Sequence, residues 1–125
     1  MERESAKSFR DLIVWKRAHE LVLSIYMESK LFPREELFGI VSQMRRSSVS
    51  VAANIAEGFK KKGKRDKLRY FNIGQGSLSE TEYFIMLSID LKYSEMKGLL
   101  MKASEVGRLL ESYMKAFNGG SNLIR

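Results

Sequence analysis

A single proline, Pro33, interrupts a chain of 125 residues. Proline breaks helix interiors because it lacks an N–H and its ring collides with the preceding turn. Its scarcity leaves room for long helices, and apolar residues recur at helical spacing on both sides of it. Four helices are expected, over about 11–29, 40–59, 66–93 and 95–117. Asp11, Asp66 and Ser94 stand where N-caps are wanted. Pro33-Arg34-Glu35-Glu36 reads as a short turn, with Gly39 loosening the start of the second helix and Gly58 with Gly63 helping to end it. Asn118-Gly119-Gly120 stops the fourth helix. Short links between long helices favour antiparallel neighbours. The fold class is therefore all-α, an up-down-up-down four-helix bundle in one domain spanning 1–125.

The helices differ in how much of their circumference is apolar. The second has one stripe, Ile40, Met44, Ser48, Val51, Ile55 and Phe59; the fourth has Leu99, Ala103, Val106, Leu110, Tyr113 and Phe117. The first is apolar over more than half its wheel, leaving Lys16, Arg17, Glu20 and Ser24 as the remainder. The third has two stripes: Phe71, Gly74, Leu78, Thr81, Ile85 and Ile89, then Ile73, Ser77, Glu80, Phe84, Leu87 and Leu91. A helix buried only inside one bundle needs a narrower stripe. The surplus predicts a second packing partner, most simply another copy of the chain. Gly74 and Gly76 cost helix stability, so each is expected to mark a close approach by a neighbour.

Along the second helix Gln43, Arg46, Ser50, Asn54 and Glu57 fall at steps of three and four, forming a stripe of poor helix formers where Lys and Glu are usual. Such a stripe reads as a polar seam against another element. Arg46 and Glu57 are separated by roughly 16 Å along the axis, too far to pair with each other. Arg46, Asn54, Glu57 and Glu80 are therefore assigned to architecture, with Glu80 and Arg69 of the third helix as candidate partners.

Charge is concentrated rather than spread. The net charge is +7, and Lys60, Lys61, Lys62, Lys64, Arg65, Lys67 and Arg69 face a single acid, Asp66, over the link between the second and third helices. Such a run attracts polyanions without discriminating sequence. It also serves as a solvated link that aids solubility. Lys60, Lys61, Lys62, Lys64, Arg65 and Lys67 are the candidate contacts to nucleic acid. Tyr70 and Phe71 follow, and a link-side aromatic can stack on an unpaired base; Phe71 reads as core.

Other chemistries find little support. The chain has no cysteine and one histidine, which argues against thiol chemistry and a zinc site. Glu57 and Glu80 have no histidine near them in sequence and no Glu-x-x-His pattern. Ser47, Ser48 and Ser50 have no evident base beside them. Gly74-Gln75-Gly76 sits inside a helical pattern rather than after a strand. His19 reads as a helix-face residue. No enzyme activity, cofactor or metal is expected. No apolar run is long enough to cross a bilayer, and MERESAKSF lacks the apolar core of a signal peptide, so no membrane partner and a cytoplasmic location are expected.

Three segments carry a family resemblance: FRDLIVWKRAHELV, LFPREELFGIVSQMRRSSVSVAANIAEG and GSLSETEY. The specific part is RR-x-x-x-S-x-x-x-N-I-A-E-G, from Arg45 to Gly58, with G-S-L-x-E, from Gly76 to Glu80. On these the chain resembles the 23S rRNA intervening-sequence proteins, a group related to the accessory variability determinants of diversity-generating retroelements. The resemblance runs from about Phe9 to Phe117. It implies a left-handed up-down bundle assembled as a homopentameric barrel with a central channel and basic surface; the stripes do not themselves set the number five. It also implies RNA binding. After Ala56-Glu57-Gly58 the family often has a Gly-Arg-Lys-Ser-like turn, whereas this chain has Phe59-Lys60-Lys61-Lys62-Gly63-Lys64. The added lysines favour the polyanion reading and weaken transfer of any one arginine contact. The expected function is a non-enzymatic homo-oligomer binding RNA or other nucleic acid through basic surface. The alternatives are an accessory protein that docks a retroelement reverse transcriptase with its template RNA, and a purely structural scaffold.

Overall fold

A computed structural model of the chain describes residues 6–95 and 97–118. Four α-helices carry the fold: α1 Ile13–Ser29, α2 Ser42–Lys60, α3 Lys64–Asp90 and α4 Lys97–Asn118. No strand occurs among the described residues. Each helix packs on two neighbours, α1 on α2 and α4, and α3 on α2 and α4, with the α2–α3 contact the most extensive. Short connections make successive helices antiparallel. One end of the bundle therefore holds the α1–α2 and α3–α4 links, joined by hydrogen bonds from Tyr93 to Glu36 Oε2 (2.6 Å) and from Ser94 to Glu28 Oε2 (3.4 Å). The other end holds the start of α1, the α2–α3 link and the end of α4.

The stripes fold inward as expected. Met44, Val51 and Ile55 of α2, Phe71, Leu78 and Ile85 of α3, and Leu99, Ala103, Val106, Leu110 and Tyr113 of α4 are buried together with Val14, Ala18, Leu21 and Ile25 of α1. The surplus apolar surface stays outside. Leu23, Met27 and Leu31 after it, and Ile73, Tyr83 and Met86 on α3, are exposed in the single chain. Gly74 is buried, and a Cβ there would touch Asn54 and the Val51 carbonyl at an ordinary 3.7 Å. Gly76 has no such neighbour within the chain: nothing lies within 4 Å of its Cβ position, because it faces out of the bundle.

The helix ends differ from expectation in informative ways. Asp11 does not cap α1. It closes a capping box with Ser8 around the short 3-10 turn Phe9–Asp11, and its Oδ2 accepts from the Lys7 and Ser8 amides. The position ahead of α1 is Leu12, with no side-chain cap, and that leucine is buried. Burial of its side chain outweighs a cap worth about 1 kcal/mol. Between α1 and α2 the chain forms a 3-10 turn, Arg34–Glu36, and a π turn, Leu37–Val41, in which Gly39 leaves helical geometry at φ −106° and ψ −113°. Gly63, not Asp66, is the N-cap of α3; Asp66 sits in its first turn, where a negative charge favours the helix dipole. α3 ends at Asp90, three residues early, and Lys92 turns the chain with φ 62°. Ser94 lies ahead of α4 with its hydroxyl directed at Glu28. Gly119 and Gly120, expected to stop α4, lie outside the described residues.

At the end holding the α2–α3 link the core is aromatic. Phe71 meets Tyr113 edge-on with centroids 5.1 Å apart, and Tyr113 meets Phe117 at 5.1 Å. Burial pushes the Tyr113 phenol up to about 12, against about 10 when unfolded. The protonated phenol is therefore the form the fold selects. Its contribution is fully present below about pH 10 and is lost as pH rises from there through about 12. Tyr93 acts in the same direction, raised first by its hydrogen bond to Glu36 and then by burial. The thermal midpoint is expected to fall over that alkaline window. Scanning calorimetry on Tyr113→Phe should show a shallower fall; an identical pH profile would contradict the assignment.

Candidate nucleic-acid interface

The basic segment begins in the last turn of α2 and runs through the link into the first turns of α3. Lys61 is the extended residue after α2, and Gly63 opens α3 with nothing packed against it. Lys60, Lys62, Lys64 and Arg65 are exposed, and Lys61 is half-buried. Among the described residues none of these five forms an ion pair, and the four exposed ones direct their charge at solvent. The opposite end is balanced: Lys30, Arg34 and Lys92 stand among Glu35, Glu36, Asp90 and Glu95. The bundle is electrically polar along its axis.

Lys67 is placed differently from its neighbours. Its ammonium donates to the Phe59 carbonyl at 2.6 Å and to the Gly58 carbonyl at 3.3 Å, in the last turn of α2, where Gly58 also accepts from the Lys61 amide. It also lies 5.4 Å from the Phe59 ring centre and 5.9 Å from that of Phe117. Burial lowers its pKa. Lys67 thus closes a helix end, which is a structural use of a side chain expected at the nucleic-acid contact. Lys67→Ala should cost about 1 kcal/mol of folding free energy, whereas Lys62→Ala should stay within about 0.5 kcal/mol. Equal urea midpoints for the two variants would refute the distinction. Tyr70, between core and link, is flanked by two cations, Lys61 Nζ at 5.1 Å and the Arg69 guanidinium at 5.9 Å from its ring centre.

The polar seam between α2 and α3 is built from smaller groups than the charged residues singled out by spacing. Ser47 and Thr81 hydroxyls are 2.8 Å apart and buried, and Ser50 and Ser77 hydroxyls are also 2.8 Å apart. Asn54 donates its amide to the Ser50 carbonyl at 2.8 Å and to the Ser50 hydroxyl at 3.0 Å. Thr81 belongs to this ladder although its spacing put it with the apolar stripe. Arg46 and Glu80 line one cleft of about 290 Å³ with Gln43, Ser47, Ser50 and Ser77. They are brought together there, but no ion pair joins them, and Glu57 is exposed on the same helix. Of the two adjacent arginines, Arg45 is the one with internal partners. It donates to Ser29 Oγ at 3.0 Å and lies 4.7 Å from the Tyr26 ring centre, closing the end of α1. No group of three or more His, Asp or Glu side chains is placed to hold a metal ion among the described residues. None of the described helices is long and apolar enough to cross a membrane.

An antiparallel four-helix bundle with a serine-threonine ladder at its main interface and one strongly basic end is thus the class of protein at hand. The family model of the 23S rRNA-intervening sequence proteins matches residues 10–112. The chain belongs to that family. It is also similar to the crystal structure of a protein with unknown function from the S23 ribosomal protein family of Bacteroides thetaiotaomicron VPI-5482. That likeness has a TM-score of 0.75 at 26% identity, covering 82% of this chain and 99% of the other. No curated protein matches the chain.

Proposed function

We propose that this protein is a non-catalytic, self-associating bundle that binds RNA through the basic link between α2 and α3. The observation that carries the reading is the run from Lys60 to Arg69, where seven basic side chains meet one acid, Asp66, and Lys60, Lys62, Lys64 and Arg65 are exposed. Charge repulsion makes such a run unfavourable for folding alone; phosphates relieve it, with release of counterions. The family's name, with its reference to 23S rRNA, agrees with this reading. Exposed Leu23, Met27, Ile73, Tyr83 and Met86, and the open face at Gly76, support self-association. A second copy would hide apolar surface and repeat the basic patch, so that weak contacts add by avidity.

The test is a filter-binding titration against RNA over a range of salt concentrations. Wild type should bind at low salt and weaken steeply as salt rises. Lys60/Lys61/Lys62→Glu should bind at least about tenfold more weakly, with a salt slope reduced by about one per lost phosphate contact. Equal binding by the two proteins would remove the support for the RNA reading. Sedimentation should show an assembly, and a stable lone protomer would remove the self-association.

A further inference from the structure

Phe9, Trp15 and His19 form a stepped aromatic array where α1 begins. Trp15 and His19 are four residues apart, one helical turn, so their rings can lie over each other. They do: the centroids are 4.9 Å apart and the planes 9° apart. Phe9 meets the indole edge-on at 5.0 Å, and the Arg10 guanidinium lies 5.1 Å from the Phe9 ring centre. His19 is exposed, while Phe9 and Trp15 are half-buried. Folding alone gains little from a flat stack whose outer member faces water.

Topology puts this array in the half of the bundle that carries the lysines. α1 begins at the end where α2 stops, and the Phe9–Asp11 turn packs against α2. On α3, the other neighbour of α2, Tyr70 sits between Lys61 and Arg69. Residues from three elements far apart in sequence thus bring aromatic rings and basic side chains to one end of the bundle. Phosphate neutralisation needs only the cations. Rings add something when bases are free to stack on them, which they are in a single strand and are not in a duplex. Lys61 has a flexible stem, so it can leave the Tyr70 ring for a phosphate as a base takes its place.

We propose that the basic end binds an unpaired RNA segment, with its phosphates on Lys60, Lys61, Lys62 and Arg65 and its bases stacked on His19 and Tyr70. This rests on the RNA reading above and specifies the strandedness of the ligand. Trp15 is the only tryptophan in the chain, so its fluorescence reports on the array. The experiment compares a short uridine-rich RNA strand, the same strand annealed to its complement, and the corresponding DNA strand, all at low salt. The RNA strand should bind about tenfold more tightly than the duplex and quench Trp15. His19→Leu and Tyr70→Leu keep apolar bulk but remove the ring. Each should lose about tenfold in single-strand affinity and leave duplex binding unchanged. Should Tyr70→Leu unfold, the exposed His19 variant carries the test alone.

Duplex bound as tightly as single strand, or leucine variants that bind the strand like wild type, would overturn the proposal while leaving the RNA reading intact. A DNA strand bound as tightly as RNA would overturn RNA as the occupant. Wild type that binds none of the three would overturn this proposal and the RNA reading together.

Discussion

Phe71→Ala is expected to lower the unfolding free energy by about 3–5 kcal/mol, a large share of the roughly 5–15 kcal/mol that holds a domain together. Phe71 has no exposed surface. Its ring stands against Tyr113 at 5.1 Å and Phe117 at 6.0 Å, and it fills the space above Gly58. It therefore ties α3 to α2 and α4 directly beneath the basic link. Truncation removes the transfer free energy of the ring and leaves a cavity that three helices can close only in part. Urea denaturation should show the loss with an unchanged m-value, and Phe71→Leu should lose less because more volume is kept. A loss below about 1 kcal/mol for the alanine variant would mean that this aromatic cluster does not exist as described.

Gly58→Ala tests the same contact from the opposite side. In an exposed helix the change would gain about 1 kcal/mol from propensity. Here the added Cβ would sit 2.5 Å from Cε1 and 2.8 Å from Cδ1 of Phe71, well inside van der Waals contact. The ring has little room to retreat, since Tyr113 and Phe117 lie against it. A net loss of about 1–3 kcal/mol is expected from overpacking. Combining Gly58→Ala with Phe71→Leu should cost less than the sum of the two single changes, by about 0.5 kcal/mol or more, because the smaller side chain makes room. Thermal melts of the four proteins in the cycle decide the matter. A Gly58→Ala variant more stable than wild type would contradict the contact. Gly58 closes the N-I-A-E-G motif, so the same experiment gives that motif a packing meaning rather than a helix-stop meaning.

Much of the bundle was legible because helical periodicity is a local property. Ile40, Met44, Val51 and Ile55 repeat at three and four residues, and all four are buried. The two stripes of α3 separated in part, with Phe71, Gly74, Leu78, Thr81 and Ile85 buried, Ile73 exposed, and Phe84 and Leu87 half-buried against the core. Helix ends were read less well. Asp11, Asp66 and Ser94 are good capping residues by type. The choice among nearby polar residues is small in energy, and ahead of α1 the burial of Leu12 overrides it.

The candidate interface divided along the same line. Sequence alone determined that a bundle of four rods forms, that the positive charge gathers at one link, and that apolar surface is left over, because each of these follows from residue type and spacing along one helix. Tertiary structure decided the rest. How α2 and α3 meet determines that Lys67 closes a carbonyl end while Lys60 and Lys62 reach solvent, and that Ser47 meets Thr81 across thirty-four positions. The antiparallel order of the helices brings Trp15 and His19 to the end that carries the lysines. Such encounters depend on how helices pack in three dimensions, which no periodicity within one of them encodes.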